Sequence, residues 1–98
     1  MTDAIKEKII EKLRTVFDPE VPINIYDMGL IYDLQIDGPA VNVTMTFTSI
    51  ACPAGPLIEQ QIKEAIASLG MQAKINIVWE PAWSPEKMSD AAKAQLGI

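Results

Sequence analysis

The 98-residue chain contains no histidine and a single cysteine, Cys52. The first absence removes the commonest general base and the commonest metal ligand together. With one thiol there is no internal disulfide, and a free thiol fits a reducing compartment. A structural zinc site, which takes four nitrogen or sulfur ligands, finds one sulfur and no imidazole. No apolar run approaches the ~20 residues that span a bilayer. The start of the chain carries Asp3 and Glu7 in a helical pattern rather than a basic stretch followed by an apolar block, so no secretory signal is read there. These absences lead us to expect one soluble domain over residues 1–98, cytoplasmic, with no membrane partner.

Positive charge is also scarce where it would matter for nucleic acid. Net charge is −5, and four of the eight basic residues (Lys6, Lys8, Lys12, Arg14) fall at the start. Between Thr15 and Ile62 there is no Lys or Arg, while Asp18, Glu20, Asp27, Asp33, Asp37 and Glu59 lie there. Such a surface repels phosphate, which argues against DNA or RNA and favours cations or basic protein surfaces. A KH-like RNA module would need a G-x-x-G clamp in basic surroundings, and the chain has neither.

Hydrophobic residues make up 49% of the chain and are distributed with clear periods. Ile5, Ile9, Leu13 and Val16, widened by Ile10 and Phe17, give a helix over 3–17 that Asp18-Pro19 should stop. Two prolines and Gly29 make Asp18–Gly29 a loop ending in a turn. The period then changes to two. Leu30, Tyr32, Leu34 and Ile36 alternate with Ile31, Asp33, Gln35 and Asp37; after the turn at Asp37-Gly38-Pro39, Val41, Val43, Met45 and Phe47 alternate with Asn42, Thr44, Thr46 and Thr48. This is a hairpin whose threonine-rich face is either solvated or an interface with a second subunit. A second helix runs from Pro56 to Leu69 and stops at Gly70; Ala73, Ile75, Ile77 and Trp79 mark a third strand, with Trp79 expected in the core. Ser89 caps a last short helix, Asp90–Leu96, closed by Gly97. The fold class is therefore an α/β (α+β) two-layer sandwich: helix-strand-strand-helix-strand plus a short C-terminal helix, with a three-stranded mixed sheet and the helices on one face.

Cys52 stands where a strand ends and a helix opens, in Thr44–Leu57, TMTFTSIACPAGPL. The positive end of a helix stabilises a nearby thiolate and raises its reactivity. Pro53 and Pro56 have no N–H, so Ala54 and Gly55 carry the donors of the turn. As a nucleophile, Cys52 would have only a carboxylate of the Asp18–Asp27 loop for a base. As a ligand it is alone, and an iron–sulfur cluster normally takes four thiolates. Two chains, each bringing one Cys52, could hold a labile cluster with carboxylates or a small thiol. That poverty of ligands suits transient handling better than storage. Trp83, between two prolines, either packs in the core or covers a site.

Three blocks carry a resemblance. DPE-x-P-x-N-I-x-D-x-G-L-I-Y (Asp18–Tyr32), T-x-T-x-x-x-C-P (Thr46–Pro53) and P-x-W-S-P-x-x-M-S (Pro81–Ser89) occur in this order. Together they resemble a family of small metal–sulfur cluster assembly factors that includes SufT-like and PaaD-like proteins. The resemblance implies a non-catalytic role in maturing iron–sulfur proteins, with iron–sulfur apoproteins and assembly-machinery proteins as partners; the shortage of ligands in one chain is what leads us to expect a homodimer. The resemblance places the family's cysteine on Cys52, as candidate ligand of iron or a labile iron–sulfur cluster bound between chains. The acidic loop falls on Asp18, Glu20 and Asp27, weaker metal candidates; Thr46, Thr48 and Trp83 are expected to shape the site. The alternatives are an adaptor subunit that binds apoproteins or an oxygenase complex without metal, and an enzyme with a cysteine nucleophile.

Overall fold

In the computed structural model, residues 2–18, 23–48 and 54–97 are described. Cys52 and Glu20 lie outside them, so expectations about these two side chains are carried by their flanks. The element order is α1 (Thr2–Leu13), β1 (Ile31–Asp37), β2 (Ala40–Met45), α2 (Gly55–Ala67), β3 (Gln72–Ile77) and α3 (Asp90–Leu96), with a 3₁₀ turn at Pro85–Lys87 before α3. Strands lie in the order β1-β2-β3. β1 pairs antiparallel with β2, and β2 parallel with β3, so α2 is the crossover of a β-α-β unit. The mixed three-stranded sheet and the order of helices and strands are those expected from the residue periods.

The hairpin turn follows from two residues. Asp37 pairs with Ala40, leaving Gly38 and Pro39 as the central positions. Gly38 has φ +60 and the proline ring holds the next φ negative, a combination that only a type II′ turn accommodates. Across the register, Leu34 faces Val43, Val43 faces Ile75, and Met45 faces Ile77. Val41, Val43 and Met45 are fully buried, as are Ile58, Ile62 and Ile66 on one stripe of α2 and Ile9 and Leu13 on α1. The opposite face of the sheet is polar: Asp33, Gln35, Lys74 and Asn76 are exposed, and Asn42 and Thr44 are half-buried between them.

Several boundaries differ from the periodic reading. α1 ends at Leu13 rather than at Phe17. Thr15 turns its hydroxyl onto the Lys12 carbonyl, the N–H groups of Thr15 and Val16 bond three residues back, and the Val16 carbonyl accepts from Ile25 N–H instead of continuing the helix. Phe17 then forms an isolated antiparallel bridge with Asn24 and is 42% exposed, so it does not widen the helical stripe. Ile5 and Leu57 also point out of their stripes. β1 has an extra residue at Tyr32: Ile31 faces Met45 while Asp33 already faces Thr44. β2 stops at Met45, and Thr46, beyond the ladder and off the alternation, is fully buried rather than on an open threonine face. β3 stops at Ile77, which leaves Trp79 41% exposed instead of in the core.

Candidate functional site

The connection from β2 to α2 holds Cys52 and leaves the sheet at the carboxyl end of the parallel pair, the position at which open α/β sheets place their functional loops. Its two flanks are well defined. On the strand side, Thr46 N–H donates to the Leu30 carbonyl at 2.9 Å, and the Thr46 hydroxyl reaches the Phe47 carbonyl at 3.4 Å. Thr48 is exposed. On the helix side, Ala54 is the N-cap of α2 and offers no side-chain cap, while its carbonyl accepts from Ile58 N–H at 2.9 Å. The first turn of α2 carries no acidic residue. Among the described residues no side chain caps this helix start, so its partial positive charge is left open at Ala54, two positions after Cys52 in the sequence.

Phe47 and Trp79 stand side by side here because both follow the ends of parallel strands. Their ring centroids are 6.2 Å apart and the rings tilted by 47°. Gly55 opens α2 against the same Phe47 ring; a Cβ at Gly55 would meet it at 3.4 Å. Strand ends, helix start and aromatic pair thus form one rim at Phe47, Gly55 and Trp79, on the described flanks of the stretch that holds Cys52 in the sequence.

In the first block of the resemblance, the described end of the acidic loop, Asn24–Gly29, is built as a single helical turn. The Asn24 side-chain oxygen accepts from Asp27 N–H at 2.9 Å, and its amide donates to the Asp27 carboxylate at 2.7 Å. Asn24 is thus the N-cap of this turn. The other end closes as a Schellman motif, with Gly29 N–H on the Tyr26 carbonyl, Leu30 N–H on the Ile25 carbonyl, and Gly29 at φ +79. The Asp27 carboxylate also faces the Arg14 side chain at 3.8 Å. The tail docks at four points, three on this turn and one on β1. Trp83 Nε1 donates to the Met28 carbonyl at 2.7 Å; Ser89 N–H donates to the Asp27 carbonyl at 2.8 Å; Tyr32 donates its hydroxyl to the Pro81 carbonyl at 2.7 Å; and the Lys87 backbone lies against Gly29. Lys87 Nζ also lies 5.1 Å from the centre of the Tyr32 ring.

The structure therefore brings Asp27 and Trp83 together on one turn and ties Thr46 to that turn's exit, at Leu30. Asp18 is buried, immediately after Phe17 of the Phe17–Asn24 bridge. Among the described residues no three acidic side chains converge on a point that could hold a metal ion. Asp27 is engaged with Asn24 and Arg14. Gly29 is the turn before β1 that the sequence led us to expect, whereas the residue periods missed Asn24 and Tyr32 as joints and the Phe47–Trp79 pair as a rim. The N-x-x-D-x-G spacing at Asn24–Gly29 carried a signal for Asn24.

A small α+β module whose one cysteine sits between the second strand and the second helix is the class that fold and site define. Residues 6–77 match the family model described as iron–sulfur cluster assembly protein. The chain is 42% identical to a Fe–S protein maturation auxiliary factor of Bacillus subtilis, across all of this chain and 99% of that protein. It is also 42% identical to the Fe–S protein maturation auxiliary factor SufT of Staphylococcus aureus, over 85% of this chain and 98% of that one. The fold matches the crystal structure of a domain of unknown function from Bacillus anthracis with TM-score 0.90 and 37% identity, covering 98% of this chain and 94% of that one. The chain belongs to the iron–sulfur cluster assembly protein family.

Proposed function

We propose that this protein is a cytoplasmic auxiliary factor in the maturation of iron–sulfur proteins, and that it acts through Cys52 on iron or a labile cluster in transit to an apoprotein. The observation that carries the reading is the identity of 42% with a named maturation factor over the whole chain. The uncapped start of α2 supports a thiolate at Cys52, because backbone N–H groups and the helix dipole favour the anion. With one sulfur per chain, the remaining ligands come from a second polypeptide, so binding is weak and the cargo leaves readily. Iron–sulfur apoproteins and assembly proteins are the partners in this reading. The exposed Trp79 and Thr48 form the contact rim. Asp27 and Trp83 hold the frame through the 24–29 turn, and Asp18 and Glu20 border that turn in sequence. The role is one of carrying and presenting rather than turnover.

Anaerobic reconstitution of the wild type and of Cys52→Ala with iron and sulfide, read by absorption spectra and iron content, tests this. Iron–sulfur absorption in the wild type that Cys52→Ala loses is the expected result. Equal spectra from the two proteins, or none from either, would leave an adaptor that presents apoproteins without touching iron. Steady thiol-dependent turnover of a substrate would mean an enzyme.

A further inference from the structure

β3 has one partner strand, and the groups it turns away from that partner can be identified. Gln72 N–H donates to the Pro39 carbonyl and Val78 N–H to the Met45 carbonyl, both at 2.8 Å, so these two residues face β2. Backbone groups alternate along a strand. Ala73, Ile75 and Ile77 therefore point their N–H and C=O groups outward, and among the described residues none of these groups bonds to a further segment. The same three side chains lie on the helix-covered face and are only half-buried, whereas their neighbours on β2, Val41, Val43 and Met45, are fully buried.

The other edge of the sheet is blunted. β1 carries a bulge at Tyr32 and the carboxylates Asp33 and Asp37, and the tail engages Tyr32. Bulges and charges are common devices against strand pairing. β3 has no proline, no bulge and a single charge, Lys74.

We propose that β3 is a dimer interface, in which a second copy of this chain adds its own β3 antiparallel across the edge with the two-fold axis at Ile75. Side-chain facing, charge and full pairing of the outward groups of 73, 75 and 77 together select this register. Opposed residues must lie on the same face, which requires the axis to pass through a residue. An axis at Lys74 would set two ammonium groups opposite each other, which is unfavourable. An axis at Ile75 sets Lys74 against Asn76 of the second copy. It also pairs Ile75 with its counterpart and Ala73 with Ile77 of the second copy, so every outward N–H and C=O of 73, 75 and 77 finds a partner. The small Ala73 opposite a large isoleucine is matched by space. A cleft lined by Lys63, Ala67, Met71, Gln72 and Ala73 opens beside this edge, where Ile77 of the second copy enters.

This inference does not depend on the role of Cys52, but it has a consequence for it. Antiparallel pairing points the carboxyl ends of the two β3 strands apart. Since β2 runs parallel to β3, the Thr48 and Ala54 flanks of the two copies lie at opposite ends of the joined sheet. The ligands that complement Cys52 then come from another protein and not from the second copy in this dimer.

Asn76 is exposed, so charge can be placed there without disturbing the core. Sedimentation equilibrium of the full chain should show a monomer–dimer equilibrium. Asn76→Lys, which creates two Lys–Lys pairs by symmetry, should weaken dimerisation by on the order of five-fold, and Asn76→Glu should strengthen it by a similar factor. Amide exchange at Ala73, Ile75 and Ile77 should slow as protein concentration rises, and small-angle scattering should move above the 13.0 Å Cα radius of gyration of one chain. A monomer at all concentrations would overturn the proposal. So would a dimer whose dissociation constant ignores both Asn76 variants, or exchange at these three amides that is independent of concentration. Iron content on reconstitution is read separately, and the Asn76 variants should leave it unchanged.

Discussion

Gly29 is the residue on which the frame of the site is most exposed to a single change. Its φ of +79 suits glycine, and a Cβ built there would lie 2.2 Å from the Lys87 carbonyl oxygen. Because that atom is backbone, the tail cannot give way by turning a side chain. Gly29→Ala should cost about 2–4 kcal/mol, combining the left-handed strain with overpacking, and urea unfolding would measure it. Gly38 has a similar φ of +60 with nothing within 4 Å, so Gly38→Ala should show the conformational cost alone. Trp83→Phe keeps an aromatic side chain but removes the donor to the Met28 carbonyl along with part of the indole's packing; a loss of at least about 1–2 kcal/mol is expected. At this scale the site was only partly legible. Cys52 stood out by its setting just before two prolines and a helix, and Asp27 by its charge. A carboxylate in a sequence does not say what it faces, however, and here Asp27 faces Asn24 and Arg14.

Among the elements, the short ones depend on their caps. Ser89 accepts from Ala92 N–H at 3.1 Å, and α3 ends at Gly97 with φ 77. α3 contributes Ala92 to the core, with Met88 just before it. Asn24→Ala and Ser89→Ala should each cost about 1 kcal/mol, as N-cap removals commonly do. The two losses should fall short of additive, since both turns meet at the Ser89–Asp27 backbone bond. Thermal unfolding of the single and double variants would measure this. The elements themselves were readable because each carries a strong period. The isoleucine stripe of α2, the alternation of β2 and the Ser89–Gly97 bracket of α3 all coincide with the structure. What the periods missed lies at the ends. A period persists only while the hydrogen-bond ladder does. β2 and β3 end at Met45 and Ile77, so Thr46 is buried and Trp79 exposed against their apparent parity. α1 ends early because Thr15 and Val16 find backbone partners outside the helix.

For the whole molecule, the tail and the sheet act together through Tyr32. Burial raises the pKa of its hydroxyl above the ordinary 10.0, and the proton is the one donated to the Pro81 carbonyl. A group whose acid form is favoured in the fold contributes stability that is full below its unfolded pKa and lost as pH rises through the folded one. Stability should therefore hold up to about pH 10 and fall above it. Tyr32→Phe should begin lower, through the lost hydrogen bond, and fall less steeply. Denaturant titrations between pH 8 and pH 11 would show the two slopes.

The central claim is that Cys52 carries iron or a cluster toward an apoprotein. Its most direct test is the anaerobic activation of an apo iron–sulfur enzyme by the iron-loaded protein, with Cys52→Ala and Cys52→Ser treated identically. Activation by the wild type at least ten-fold faster than by either variant, with all three folded to the same stability, is the predicted result. Equal activation by all three would contradict it.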